Sequence, residues 1–257
     1  MKIYTAIKHK KLSTSILTAM LLVMSSSVWA QIAPLFNNSI MQDNDTYVYL
    51  IGERLEYNSV PGADPLSWDV QGYVGKDLNK FWFKTEGSAL TSQKEGEMEF
   101  QGLYSRMISP YFDFQAGLRY DISYNRLQNL SRSFAAIGLQ GLAPYLFETE
   151  TNLFISDHGD ISARLLGTYD LLFTQRLVGQ PRFETNIAIQ KVEKFGVGSG
   201  FNNIQLGFRL RYEIRRELAP YIGISWNRQL GQTADFIRQE GGDVSSFSLL
   251  GGVRLWM

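Results

Sequence analysis

The sequence contains no cysteine, which excludes a disulfide scaffold and any thiolate metal centre. Histidine is nearly absent as well: His9 and His158 are the only two in 257 residues. A catalytic dyad or triad built on imidazole therefore has almost nothing to draw on. No apolar run approaches the roughly 20 residues that a membrane-crossing helix needs. Net charge is missing too, with 25 basic and 25 acidic side chains. That balance excludes the strongly basic field of a nucleic-acid binder.

What the chain does have is alternation. From Ile204 to Ile214 the even positions read Ile, Leu, Phe, Leu, Tyr, Ile, and the odd positions between them read Gln, Gly, Arg, Arg, Glu. A period of two puts these sets on opposite faces of one long strand. One face is wholly apolar and the other carries charge, the pattern of a strand between lipid and a polar lumen. Similar segments recur along the chain, at 46–57, 66–77, 80–90, 94–108, 111–124, 131–143, 145–156, 160–177, 181–193, 201–215, 220–231 and 245–257. The expected fold is all-β: a single antiparallel transmembrane β-barrel of about twelve strands, with both termini periplasmic.

Residues 1–30 read as a secretory signal peptide. Lys2, Lys8, Lys10 and Lys11 precede an apolar stretch at 16–24, and small residues lead to cleavage after Ala30. Cleavage removes four lysines and no acid, leaving 21 basic against 25 acidic residues. It also removes His9. Residues 31–45 read as a short flexible periplasmic lead-in, and 46–257 as the barrel in the outer membrane.

The links support the same reading. Alternate turns are short, at Leu78-Asn79, Ser109-Pro110, Ala143-Pro144, Val178-Gly179-Gln180 and 216–219, whereas most of the others are longer and more polar. Three short turns share a Pro-Tyr pair, Pro110-Tyr111, Pro144-Tyr145 and Pro220-Tyr221. Proline belongs at a turn or a strand's first residue, and the tyrosine is expected in an interfacial girdle.

Charge facing lipid costs about 2–4 kcal/mol per basic residue at the midplane, so charged positions are assigned inward. Parity then places Glu86, Glu97, Glu99, Asp113, Arg119, Asp121, Glu148, Glu150, Arg164, Asp170, Arg176, Glu184, Arg209, Arg211, Glu213 and Arg215 in the lumen. Strand 46–57 resists assignment, because Glu53 shares the parity of Tyr47, Tyr49 and Ile51. Most of the inward charges are expected to brace neighbouring strands as ion pairs.

Several stretches resemble the copper-resistance protein B family of outer-membrane proteins: WDVQGYVG at 68–75, FWFKTEG at 81–87, LYSRMISPYFDFQAGLRYD from Leu103, FAAIGLQGLAPYLFETE from Phe134, YDLLFTQRLVGQPRFETN from Tyr169 and LRYEIRRELAPYIGISW from Leu210, with Gly231-Gln232-Thr233-Ala234 after it. The resemblance implies a twelve-stranded outer-membrane barrel serving copper homeostasis or resistance, with copper ion bound or passed, beside a periplasmic multicopper oxidase or other copper-handling protein. Members usually carry a Met- and His-rich extension before the barrel. Residues 31–45 hold one methionine, Met41, and no histidine. Thioether and imidazole select copper over harder cations, so the metal candidates are Met41, Met107 and His158. Met98 has the lipid-facing parity. Two other readings stand beside this one: a generic narrow pore or structural barrel without copper specificity, and, more remotely, an outer-membrane hydrolase dependent on His158. Apart from that remote reading, the chain is not expected to be an enzyme.

Overall fold

The computed structural model describes residues 45–59, 65–90, 95–124, 129–239 and 241–257. The signal peptide, nearly all of the lead-in and Met41 lie outside the described residues. Strands run as β1 (Tyr47–Ser59), β2 (Pro65–Gly75), β3 (Asn79–Leu90), β4 (Glu95–Ser109), β5 (Phe112–Tyr124), β6 (Asn129–Ala143), β7 (Phe147–Ser156), β8 (Ile161–Thr168), β9 (Leu171–Leu172), β10 (Leu177–Ala188), β11 (Gly200–Tyr212), β12 (Leu218–Gln229) and β13 (Ser245–Trp256). Each pairs antiparallel with its neighbour, and β1 pairs with β13 to close the ring. The two-residue β9 continues β8 past Tyr169 and Asp170, and both pair with β10. The barrel therefore has twelve staves.

The outer surface is apolar. Phe81, Phe83, Leu118, Leu139, Leu206, Ile222, Ile224 and Leu249 all project from it, while arginines and glutamates are buried inside. A water-soluble fold would invert this arrangement; a barrel set in lipid requires it. Glycines admit the larger rings of the belt. A Cβ on Gly87 would stand 2.4 Å from the indole of Trp68, its cross-strand partner.

Three local expectations change. The turn expected at Val178-Gly179-Gln180 lies at 173–176, and those three residues belong to β10. Thr174 Oγ1 accepts the backbone N–H groups of Arg176 and Leu177, which makes 173–176 a side-chain-stabilised turn. Gly179 is needed for packing: a Cβ there would meet the rings of Phe173 and Phe208 at 2.7 and 2.9 Å. Likewise Pro220-Tyr221 is inside β12, with the turn at 213–217. Tyr111 and Tyr145 are exposed at turns, but Tyr221 is buried in the lumen. Finally, the link after β12, expected as a loop, forms helix α1 (Gly231–Gln239). Thr233 Oγ1 accepts the Gly198 N–H at 2.8 Å, which pins this helix to the link between β10 and β11.

Strand β1 explains its own ambiguity. A β-bulge between Gly52 and Arg54 shifts the register against β2. An extra residue there reverses side-chain parity. Ile51 is buried on one side of the bulge, and Arg54 and Glu56 on the other.

Candidate functional site in the barrel lumen

The register of β1 to β5 builds a row of charge. Arg54 lies opposite Asp69, Asp69 opposite Glu86, Glu86 opposite Glu99, and Glu99 opposite Asp121. Four carboxylates on four successive strands are therefore cross-strand neighbours, an arrangement that like-charge repulsion disfavours. Guanidinium groups resolve it. Arg54 pairs with Asp69 at 3.1 Å and with Glu86. Arg119 holds Asp121 through two bonds of 2.7 Å and reaches Glu99 at 2.8 Å. Arg164 arrives from β8, donating to Glu99 at 2.7 and 3.1 Å and to Glu86 at 3.3 Å. Its Nε also lies 3.8 Å from Glu184, which holds Arg182 at 2.6 Å.

Further pairs line the rest of the lumen. Lys84 bonds Glu150 at 2.8 Å and Gln140 at 3.0 Å, and Lys80 bonds Asp113 at 2.9 Å. Arg209 donates twice to Glu56, at 2.9 and 3.0 Å, and the Tyr221 hydroxyl donates to the same carboxylate at 3.1 Å. Arg211 pairs with Asp170 at 2.7 Å and lies 3.6 Å from Glu213. Arg254 pairs with Glu53 at 2.8 Å. Between these groups lies a cavity of about 320 Å³, whose lining includes Tyr49, Trp82, Arg54, Glu86, Glu99 and Arg164. One side of the lumen is apolar: Trp82, Leu103, Phe134, Ala136 and Phe154 form a buried cluster. The Arg119 guanidinium stacks 4.3 Å from the Phe154 ring, so the charged network rests on this cluster.

Of the residues expected in the lumen, Glu86, Glu99, Asp113, Arg119, Asp121, Glu150, Arg164, Asp170, Glu184, Arg209, Arg211 and Glu213 enter these ion pairs. Glu148 lines the cavity and accepts from Thr168 Oγ1 at 3.1 Å; among the described residues it has no ion-pair partner. Glu97 is exposed at the end away from the chain termini, beside Glu95, Ser123 and Tyr124. Arg176 and Arg215 do not face the lumen. Both are exposed in the turns at 173–176 and 213–217, because their strands end before reaching them. Residues not anticipated include Arg54, Glu56 and Asp69, hidden by the bulge or by an unassigned strand, and Arg182, whose parity with Glu184 was the available signal.

The metal candidates are not brought together. Met107 is half-buried on β4 near the chain termini, and His158 is exposed in the 157–160 link at the other end. The His158 ring Nδ1 lies 2.7 Å from Asp157 Oδ1, and this hydrogen bond holds the Asp157 carboxyl below the usual carboxylate range. Among the described residues, no group of three or more His, Cys, Asp or Glu is placed to hold a metal ion.

The whole barrel matches known sequences. The family described as Copper resistance protein B precursor (CopB) matches over residues 46–257. Copper resistance protein B of Escherichia coli is 40% identical over 210 residues, covering 82% of this chain and 69% of the relative. The Copper resistance protein B homolog of Pseudomonas syringae pv. tomato (strain ATCC BAA-871 / DC3000) is 37% identical over 216 residues, covering 84% and 72%. Among solved structures, the NanC porin in a rhombohedral crystal form superposes with a TM-score of 0.52 at 14% identity, covering 81% of this chain and 99% of the porin. That likeness concerns the barrel fold alone. With the family matched along the entire barrel and two relatives at this identity, the chain belongs to the copper resistance protein B family.

Proposed function

We propose that this barrel resides in the outer membrane, exported by the signal at 1–30 with its termini periplasmic, and serves copper resistance with copper ions as its cargo. The observation that carries this reading is the family match over 46–257, which coincides with the barrel itself. The apolar belt supports the membrane setting. Among the described residues the soft candidates do not form a resident copper centre, since Met107 and His158 stand at opposite ends of the barrel; Met41 lies outside the described residues. A passing cation would instead meet oxygen, and Glu148 is the cavity acid free for such a weak contact among the described residues. The resemblance implies a periplasmic copper-handling partner, such as a multicopper oxidase, to supply tighter capture.

Deleting the gene in its native host and scoring copper tolerance and cell-associated copper tests this reading. We expect tolerance to fall and copper content to change, with both restored by the wild-type gene. No change in either would overturn it and leave the second reading, a generic narrow pore or structural barrel without copper specificity. The hydrolase alternative has little support: among the described residues Ser156 donates its hydroxyl to Asp160, and the His158 ring bonds Asp157.

A further inference from the structure

Most luminal ion pairs join staves that are close in the ring, where they brace the sheet. Arg254–Glu53 links adjacent β13 and β1, and Lys80–Asp113 spans two staves. Two side chains reach farther. In a ring of twelve Lys84 ties β3 to Glu150 on β7, four staves away. Arg164 ties β8 to β4, four staves away, and to β3, five staves away, the longest span among the described ion pairs. The backbone ladder already closes the barrel, so a bond of this span adds no support between neighbours. It does place a guanidinium across the channel axis. All three nitrogens of that group are engaged, with Glu86, Glu99 and Asn186, and the side chain is buried. The carboxylates it meets belong to the in-register row on β2 to β5, and Arg164, Glu86 and Glu99 all line the 320 Å³ cavity.

We propose that Arg164 is a tethered counter-ion that plugs the lumen. It satisfies Glu86 and Glu99 and blocks the path that those acids would otherwise make selective for cations. Without it, the row carries Asp69, Glu86, Glu99 and Asp121 against Arg54 and Arg119, a surplus of negative charge. Without Glu86 and Glu99, the Arg164 arm keeps Asn186 at its Nε but loses the carboxylates that hold it across the lumen, and the surplus turns positive. The same barrel thus yields opposite selectivities according to which half of the lock is removed. None of this depends on copper; a barrel indifferent to the metal would carry the same lock.

The test is conductance of the purified full-length protein in planar bilayers under a KCl gradient. Heat-dependent migration in detergent gels confirms that each barrel is folded. Wild type should conduct poorly. Arg164→Ala should raise conductance several-fold, with a reversal potential of cation-selective sign. The double variant Glu86→Gln/Glu99→Gln should also open, with the opposite sign, and it supplies a second route should Arg164→Ala fail to fold. A wild-type channel as open as the variants overturns the proposal. So does a folded variant with no rise in conductance, or a pair of variants with the same selectivity.

Discussion

Strands β2 to β5 and strands β8 to β11 face each other across the lumen with opposite chemistry. The first wall carries the acid row Asp69, Glu86, Glu99 and Asp121. The second presents Arg164, Arg182, Arg209 and Arg211, with Asp170 and Glu184 among them. Four in-register carboxylates repel one another, and Arg119 on the same wall and Arg54 on β1 offset part of that charge. Glu184 and Asp170 pair Arg182 and Arg211 within the second wall. Among the described residues Arg164 is the side chain that bonds from one wall to the other, at Glu86 and Glu99. In a soluble protein such groups would be left in water. Here the belt must face lipid, so charge has only the lumen to occupy, and pairing inside it is the remaining way to satisfy buried ions.

The largest way to break this balance is to remove one partner of its most deeply buried pair. Arg209→Leu leaves Glu56, 3% exposed, without its two bonds; the expected loss is about 3–5 kcal/mol in urea unfolding from lipid vesicles. Next comes a control for the belt. Leu206→Arg sets a charge at the middle of the outer face of β11 and should cost about 2–4 kcal/mol in the same assay. Gln205→Arg, one residue away but inward, should cost clearly less. The contact between the walls can be isolated by a double-mutant cycle on Arg164 and Glu99, for which a coupling of roughly 0.5–3 kcal/mol is expected. Additivity within error would show that the walls do not interact at that point. Smallest of all, His158→Ala lies outside both walls; stability should stay within about 0.5 kcal/mol and any lipid or peptide cleavage should be unchanged.

Much of this was legible in order along the chain. Glu97, Glu99 and Gln101 alternate with Met98, Phe100 and Gly102, so lipid alone decides which set faces inward. The turns at Ser109-Pro110 and Ala143-Pro144 were likewise visible. Where the reading slipped, a local signal had a tertiary explanation. Gly179 looked like a turn residue and is a recess for two aromatic rings. Pro220 looked like another turn and sits in β12 opposite Val253. The bulge at β1 broke a parity rule that assumes an unbroken ladder, which concealed Arg54 and Glu56.

Alternation and composition by themselves determined a twelve-staved barrel with an apolar outside and a charged inside, because a strand's two faces are set by neighbouring residues and lipid rejects charge on one of them. Which charge meets which was decided only in three dimensions. Arg164 and Glu99 are 65 residues apart, and Arg209 and Glu56 are 153 apart. Their pairing depends on ring closure, stave register and one bulge acting together, and no short-range pattern in the chain encodes the distance across a lumen.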